Sequence, residues 1–236
     1  MSVRVTKETQ PRVVLKGANS GTVNSGVLSG SGDGVRVSMT FTATAEPLIV
    51  IPYGNVVEAQ LEAGSFATSY IPTAGSQVTR SADLASIPVT AFGYNQDAGT
   101  IVVEFSIFHT YTGSPYPRVV NLTQVGAASR TGVEIIGYLD NTTFEVYNLS
   151  ASQAAVGSGT GGEGRVAIAF TQDNVQAAKD GSLVGTTDTS ATIVPYTDMF
   201  IGMSNASGSN HISGHIKSLK YYPRRLTDDQ LVELTS

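Results

Sequence analysis

The C-terminal segment 211–236, HISGHIKSLKYYPRRLTDDQLVELTS, constrains the fold of this chain more than any other stretch. Its first half carries apolar side chains at alternating positions, which is the pattern of a strand that buries one face against a core. His215 and Ile216 are adjacent, so the alternation leaves open which of them faces inward. The predicted inward-facing residues are Ile212, either His215 or Ile216, Leu219 and Tyr221.

A short helix is predicted after this strand. Pro223 ends the strand, because proline cannot continue the hydrogen-bonded ladder. Thr227 and Gln230 then have the spacing of a capping box, in which each side chain bonds the main-chain amide of the other residue. Asp228 and Asp229 suit the positive end of the helix dipole. The apolar side chains that the helix segment returns to the sheet are Leu226, Leu231 and Leu234.

Three segments in the second half of the chain resemble laminin-G-like, concanavalin-type β-sandwich domains. The strand and helix described above resemble the end of such a domain, GRVAIAFTQDNVQAAKDGSLVG at 164–185 resembles one of its hairpins, and MFIGMSN at 199–205 resembles its L-x-I-G strand. Arg165 and Ala178 depart from the residues usual in that hairpin. The resemblance implies an all-β fold: an antiparallel jelly-roll sandwich with a short C-terminal helix, which we expect to follow a smaller β element.

Composition agrees with an all-β chain and narrows its functions. Only 14% of the residues are charged and 25 of 236 are glycine, as in proteins built of strands and turns. The net charge is −5, and no basic cluster exceeds Arg224-Arg225, which argues against a nucleic-acid partner; these two arginines are expected to cover the sandwich rim. The absence of cysteine excludes disulfides, thiolate metal sites and a cysteine nucleophile.

Neither membrane insertion nor classical export is expected. No segment approaches the run of about 20 apolar residues that spans a bilayer. The start, MSVRVTKETQ, has no apolar run and no cleavage site of a signal peptide. A protein without disulfides fits a bacterial or viral source better than a secreted eukaryotic one.

The chain divides by composition into three parts. Residues 1–60 are predicted to form a small β-rich or partial sandwich domain, in which Val35–Ala45 alternates apolar and polar side chains. Within this part, the Gly/Ser/Asn-rich run from Gly17 to Gly34 is expected to be a loop. Residues 61–78 are predicted to be an extended connector, and residues 79–236 the sandwich.

The connector region carries the most specific resemblance. AQLEAGSFATSYIPTAGSQVTRSAD at 59–83 resembles a connector that recurs in tailed-bacteriophage structural proteins, between a small β-sandwich and a laminin-G-like domain. The resemblance implies a virion protein of the fibre, spike or decoration type, made in the host cytoplasm and exposed on the particle. It further implies attachment to other virion proteins through residues 1–60 and a homo-oligomer, for which the family habit suggests a trimer.

Strand positions within the sandwich follow from alternation and turn residues. Residues 100–110 alternate without a fully polar face, which indicates a central strand. Asp140-Asn141, Asp173-Asn174 and Asp180-Gly181 are predicted hairpin turns. The strands that they delimit are predicted at 118–125, 132–139, 143–149, 165–171, 175–179, 182–185 and 199–205.

No catalytic residues are predicted. Retaining glycosidases need two carboxyl groups about 5–5.5 Å apart, and the E-x-D-x-E pattern of concanavalin-type glucanases is absent. Glu134 and Glu145 could face one another across a hairpin, with Asp140 at its turn, but strand carboxylates are more often solvated surface groups. No G-x-S-x-G elbow indicates a serine hydrolase.

No metal ligand or cofactor is predicted. His211 and His215 would lie about 13 Å apart along a strand at ~3.3 Å per residue, too far to share one ion. Asp97, Asp173 and Asp198 all fall in predicted turns, where each is more simply a turn former than a calcium ligand. Calcium binding stays open.

A candidate carbohydrate-binding surface combines tyrosines with amide side chains. The segment 111–116, YTGSPY, places two tyrosines in one connection, and 205–210, NASGSN, precedes a histidine. The alternative is that the tyrosines cap the edge of the sandwich and NASGSN is a flexible turn. The candidate residues are Tyr111, Tyr116, Asn205, Asn210 and His211.

These observations favour a noncatalytic bacteriophage structural protein that displays a lectin-like sandwich, either for adhesion to host-surface polysaccharide or for particle stabilisation. The alternative is a carbohydrate-binding accessory module, or a diverged glucanase, of a bacterium.

Overall fold

The computed structural model describes residues 2–5, 12–18, 21–24, 35–42, 49–53, 56–63, 67–107, 116–124, 132–137, 141–148, 151–160, 162–205 and 210–236. The chain separates into two units, Met1–Arg80 and Ser81–Ser236. Within the described part of the chain, no helix has the length and apolar character needed to cross a bilayer.

The first unit contains two small antiparallel sheets. They have the strand orders β4-β1-β6 and β3-β2-β5. Two expectations fail here: β3 lies inside the run predicted to be a loop, and β4 stops at Ser38 while residues 39–42 are not in a strand. The strands are β1 (Ser2–Val5), β2 (Arg12–Ala18), β3 (Gly21–Asn24), β4 (Val35–Ser38), β5 (Ile49–Tyr53) and β6 (Val56–Gln60).

The connector begins as a loop folded back on the end of β6. Gln60 accepts a hydrogen bond from the Ile71 main-chain amide (2.8 Å), and Glu62 accepts two from Thr68, from the amide (2.8 Å) and the hydroxyl (2.6 Å). Against the opposing effect of burial, these bonds from Thr68 lower the pKa of Glu62 below its ordinary value. Residues 72–84 then run without strand or helix and with exposed side chains. The connector is therefore anchored at its start by side chain to backbone bonds.

The second unit is an antiparallel β-sandwich. Its six-stranded sheet has the order β12-β11-β10-β9-β16-β7, and its five-stranded sheet the order β15-β14-β13-β8-β17. β8 lies between β13 and β17, which confirms the prediction of a central strand for residues 100–107, and residues 108–110 lie outside the described residues. The strands are β7 (Ala85–Pro88), β8 (Ala98–Ile107), β9 (Arg118–Thr123), β10 (Gly132–Gly137), β11 (Asn141–Asn148), β12 (Ala151–Thr160), β13 (Glu163–Thr171), β14 (Asn174–Lys179), β15 (Ser182–Asp188), β16 (Asp198–Ile201) and β17 (Gly214–Tyr222).

The core lies between the two sheets. Every second residue of the central strands points into it, as the period of a pleated strand requires. The five-stranded sheet contributes β8 and β13 and the six-stranded sheet contributes β9 and β10. Its fully buried members include Ile101, Val103, Phe105, Val120, Leu122, Val133, Ile135, Val166, Ile168 and Phe170.

A β-bulge in β17 decides which of its residues face the core. The pairing with β8 runs Ile216 to Phe105 and then Ser218 to Glu104, so Lys217 is an extra residue. The inserted residue shifts the alternation, and Ile216, Leu219 and Tyr221 therefore all pack against the core. Ile216 is the inward residue that the sequence left open, and His215 is exposed.

The predicted C-terminal helix is confirmed as α1 (Asp228–Thr235), with both hydrogen bonds of the capping box between Thr227 and Gln230 present. Its buried face packs on the outside of the five-stranded sheet. The turn before it is held by the buried hydroxyl of Thr100, which donates to the Arg224 carbonyl (2.8 Å) and accepts from the Leu226 amide (3.0 Å). The residues of this second cluster are Val102, Ala167, Ala169, Ala178, Leu226 and Leu231, with Leu234 partly buried.

An aromatic cluster lies at the edge of the main core. Phe92 packs edge-to-face on Tyr221 with ring centroids 5.1 Å apart, and Tyr94 packs on Tyr196 at 6.5 Å. Burial, with a smaller effect of the neighbouring tyrosine in each case, raises the pKa of both Tyr94 and Tyr196 well above the ordinary value of 10.0. Ionisation of either phenol would therefore destabilise the folded state.

Candidate functional site

The outward face of the six-stranded sheet carries a buried polar cluster. Val133 and Ile135 of β10 face the core, so Glu134 between them faces outward, and its partner in β9 is Asn121. Both side chains are nevertheless almost fully buried, Glu134 at 1% exposure and Asn121 at 4%. The prediction that Glu134 is a solvated strand carboxylate is therefore wrong.

A β-bulge places an arginine beside Glu134. The register between β9 and β10 shifts after the pair Val120 and Ile135, so that Arg118 pairs with Ile136 and Val119 is the extra residue. Because of this insertion, Val119 packs in the core while Arg118 turns outward. The bulge thus brings the guanidinium group of Arg118 to the face that carries Glu134.

Arg118 and Glu134 form a buried ion pair. The Arg118 Nε and Nη2 atoms both lie 3.0 Å from Glu134 Oε2, and the two side chains are 3% and 1% exposed. Arg118 Nη1 donates to the carbonyl oxygen of Tyr116. All three nitrogens of the guanidinium are therefore engaged by this chain, and the burial of Glu134 is tolerable because its charge is compensated.

Tyr116 lies on the solvent side of this pair. It is 48% exposed, whereas Arg118 is 3% exposed, and the Arg118 Cζ atom is 5.7 Å from the centroid of the tyrosine ring. That distance is within the range of a cation–π contact. The structure therefore presents an accessible aromatic ring supported from below by a guanidinium. The other predicted tyrosine, Tyr111, lies outside the described residues.

Asn210 joins the same edge of the sheet. Its carbonyl oxygen accepts from the Arg118 amide (3.0 Å), and its side-chain amide donates to the Ser204 hydroxyl (3.3 Å). Asn210 adopts a left-handed backbone (φ 52°), a conformation that asparagine tolerates better than most residues. Asn205 is exposed directly after Ser204, and His211 is half-buried directly after Asn210. The predicted residues Tyr116 and Asn210 thus meet at Arg118, and Asn205 and His211 flank them in sequence.

Asn121 supports this edge from within the sheet. Its Nδ2 donates to the Ser204 carbonyl (2.6 Å), while its Oδ1 is buried and has no hydrogen-bond partner among the described residues. Gly132 makes room for it, because a Cβ on that glycine would lie 2.5 Å from Asn121 Oδ1. Arg118, Asn121 and Ser204 are not among the site residues predicted from the sequence. The available signal was the presence of arginine and asparagine in RVVNLT, a strand whose other residues are three aliphatic side chains and a threonine.

The arrangement bears on catalysis through Glu134. The backbone register pairs Glu134 with Glu145 across β10 and β11, as the sequence allowed. Glu134 Oε2, however, accepts from two nitrogens of Arg118. The Glu134 carboxylate is therefore engaged in an ion pair with a buried cation. That the chain has no catalytic residues stays a prediction.

Among the described residues, no group of three or more histidine, aspartate or glutamate side chains is placed to hold a metal ion. Two of the three proposed turn aspartates lie in turns: Asp97, whose amide donates to the Asn95 side chain, and Asp173, with a φ of 53°. Asp198 is instead the first residue of β16, where it pairs with Pro88 of β7 and Thr123 of β9. The prediction of a turn at Asp198 is wrong.

A separate polar recess of about 400 Å³ lies at the start of α1. Arg225, which was expected to cover the rim, is mostly buried there and forms an ion pair with Asp228 (2.8 Å). No aromatic side chain lines the recess, so it lacks a surface on which a sugar ring could stack. Its lining residues are Asn174, Thr187, Arg225, Thr227, Asp228 and Asp229.

No protein-family model matches the sequence, and no curated protein matches it. Similar solved structures include the CBM40 module of the Ruminococcus gnavus IT-sialidase bound to α2,6-sialyllactose, with a TM-score of 0.47 and 14% identity over 65% of this chain and 93% of that chain. A Trypanosoma rangeli sialidase has a TM-score of 0.44 and 12% identity over 59% of this chain and 22% of that chain. The NanB sialidase from Streptococcus pneumoniae has a TM-score of 0.45 and 13% identity, with coverages of 64% and 27%. Likenesses at this level carry no argument about function.

Proposed function

We propose that the unit Ser81–Ser236 is a noncatalytic carbohydrate-binding module. Its binding surface is the edge formed by Tyr116, Arg118, Ser204, Asn205 and Asn210, here called the Tyr116 surface. The observation that carries the proposal is the half-exposed Tyr116 ring supported by the buried Arg118 guanidinium. An aromatic ring offers the apolar face of a sugar a rigid platform at low entropic cost.

Polar groups beside the ring supply the directional contacts. The Asn210 amide and the Ser204 hydroxyl are linked to one another and, through the Asn210 carbonyl, to the main chain of Arg118. A few fixed polar groups next to an apolar contact surface are the usual composition of a small-molecule site. Asn205 adds an exposed amide next to Ser204. Donors and acceptors of this kind suit the hydroxyl groups of a saccharide.

The glycan proposal is tested by retention of the purified chain on immobilised host-surface polysaccharide. Tyr116→Ala should reduce retention about tenfold, since it removes the stacking platform. Tyr70→Ala is the matched control, because Tyr70 is also partly exposed (37%) but lies in the connector of the other unit. Equal retention of Tyr116→Ala and the unmutated chain would remove the Tyr116 surface as the binding site.

The finer proposal is that the chain is a structural protein of a tailed-bacteriophage particle. The 25-residue resemblance of 59–83 supports it, together with the absence of strand or helix over the described part of 72–84, as in an extended connector. Residues 1–60 would attach to other virion proteins, and the sandwich would be displayed outward as part of a symmetric homo-oligomer, with a trimer as the suggested state. Its location on the exterior of the virion is part of this proposal.

Electron microscopy of assembled particles carrying a label on the C-terminus tests this finer proposal. Label on the particle exterior supports it, and purified particles without the chain would contradict it. The second candidate is a bacterial carbohydrate-binding accessory module or a diverged glucanase. The backbone register of Glu134 opposite Glu145 is the observation that bears on the glucanase form, in which Glu134 would have to act despite its pairing with Arg118. The glucanase would be established if the purified chain released reducing ends from β-glucans and the Glu145→Gln variant did not.

A further inference from the structure

We infer that the Tyr116 surface selects neutral saccharides over carboxylated ones. This inference rests on the proposed function and names the ligand class for the same surface. It follows from how the charge of Arg118 is used within the chain.

The guanidinium is committed to internal partners. Nε and Nη2 contact Glu134 Oε2, Nη1 contacts the Tyr116 carbonyl, and the side chain is 3% exposed. Recognition of a sugar carboxylate depends on a cation that can offer its N–H groups, most effectively the two-pronged edge of an arginine. A carboxylated ligand would have to displace Glu134, which would leave that carboxylate buried without its cation.

The ion pair also removes the long-range attraction for an acid. A ligand stacked on Tyr116 would lie beyond a ring whose centroid is 5.7 Å from the Arg118 Cζ atom. An isolated cation at that depth would attract an anion, but a cation with a carboxylate 3.0 Å away presents only a dipole. The ring and its partners therefore act as a neutral surface.

The neighbouring described segments supply no second cation. Among the described residues 116–124, 132–137, 198–205 and 210–213, Arg118 is the sole lysine or arginine, and the acids are Glu134 and Asp198. β17, which follows, belongs to the other sheet, and its Lys217 lies 4.0 Å from the carboxylate of Glu104. The formal charge of these segments, with histidine neutral, is +1 from arginine and −2 from the two acids, hence −1. This net negative charge would repel the carboxylate of a sugar acid, whereas it has no such effect on the uncharged hydroxyl groups of a neutral sugar.

Glu134 is consequently a specificity-determining residue that acts through Arg118. Glu134→Gln keeps the shape and a hydrogen-bond acceptor but leaves the Arg118 charge uncompensated. We expect this variant to gain affinity for carboxylated saccharides by at least about tenfold, a change that corresponds to about 1.4 kcal/mol. Its affinity for neutral saccharides should change by less than about threefold, which corresponds to less than about 0.7 kcal/mol.

The test is an array of neutral oligosaccharides printed beside the same oligosaccharides extended by one sialic or uronic acid, probed with the full chain. Binding to neutral members that weakens when the acid is added supports the inference. Binding that requires the acid overturns the inference and leaves carbohydrate binding intact. Binding to no member, together with no retention on whole host polysaccharide, overturns the proposed function itself.

The variant arm uses the same array with Glu134→Gln and, as a charge-free control, Arg118→Met with Glu134→Leu. A gain for acidic members in Glu134→Gln that is absent from a double variant still binding the neutral members supports the inference. No gain in a Glu134→Gln protein that melts as cooperatively as the unmutated chain overturns it. If Glu134→Gln does not fold, the array with the unmutated chain decides the question alone.

Discussion

Arg118 and Glu134 lie on adjacent strands with the Arg118 Nη2 atom 3.0 Å from Glu134 Oε2, and both side chains are at least 97% buried. A pair of this kind on the outward face of a sheet is unusual, because charged strand residues are mostly solvated. The pair requires the bulge at Val119, since in a regular ladder Arg118 would lie opposite Gly137, whose position faces the apolar core. The bulge at Val119 and the buried ion pair of Arg118 and Glu134 therefore depend on one another.

Removal of either partner alone should strongly destabilise the sandwich. Glu134→Ala leaves a buried guanidinium without its counter-charge, and we expect a loss of about 3–5 kcal/mol in the free energy of unfolding. Arg118→Met with Glu134→Leu removes both charges and should cost far less, or even stabilise the fold. Urea unfolding of the three proteins measures the difference. Comparable losses in the single and double variants would show that the charges are not what the structure depends on here.

The hydroxyl of Thr100 should be critical for docking of the C-terminal helix. Thr100→Val preserves shape but removes the donor to the Arg224 carbonyl and the acceptor for the Leu226 amide. Thr100 is 0% exposed, so water cannot replace these bonds without rearrangement, and we expect a loss of about 1–3 kcal/mol. Hydrogen exchange should show faster exchange of the Leu226 amide and of α1.

Thr171→Val is the matched control for Thr100→Val. Thr171 also donates one hydroxyl hydrogen bond to a main-chain carbonyl, that of Asp97 at 2.9 Å, but it is partly exposed. Solvent can take over a bond at such a position, so its loss should be well under that of Thr100→Val. Equal effects of the two variants would contradict the role assigned to Thr100.

The sequence predicted those parts of the fold that depend on local pattern. The capping box of α1 is encoded by Thr227 and Gln230, three residues apart, and the strands of the core follow from regular alternation. It failed where pairing with a distant strand decides the conformation. The bulges at Val119 and Lys217 each insert one residue relative to a partner strand, and nothing within RVVNLT or HIKSLKYY marks the inserted residue.

Two of the strands that were not predicted, β3 and β12, have the same cause. β12 is rich in alanine, glycine and serine, which have low strand propensity, and β3 lies in a glycine- and serine-rich run. Their hydrogen-bonded neighbours, β11 and β2, supply the ladder that their own sequences do not specify. The candidate site was only half predicted for a related reason. Tyr116 and Asn210 are recognisable by residue type in a loop, whereas the burial of Glu134 depends on Arg118 in the neighbouring strand.

The tyrosine cluster should make the fold sensitive to alkaline pH. The pKa of Tyr94 and of Tyr196 is raised in the folded state above the ordinary value of 10.0, mainly by burial. The folded protein therefore holds these protons more tightly than the unfolded chain does. Their contribution to stability is fully present below pH 10 and is lost as the pH rises from there through the folded pKa.

Unfolding free energies measured by urea denaturation across this alkaline range should fall with increasing pH. Tyr196→Phe removes one of the buried phenols, so the fall should be shallower in this variant. Tyr70→Phe is the control. Because Tyr70 is partly exposed in the connector, this substitution should not change how steeply the free energy of unfolding falls with pH. Tyrosinate absorbance should rise together with unfolding for the buried residues. A slope in Tyr196→Phe as steep as in the unmutated protein would mean that the buried hydroxyl of Tyr196 does not control alkaline unfolding.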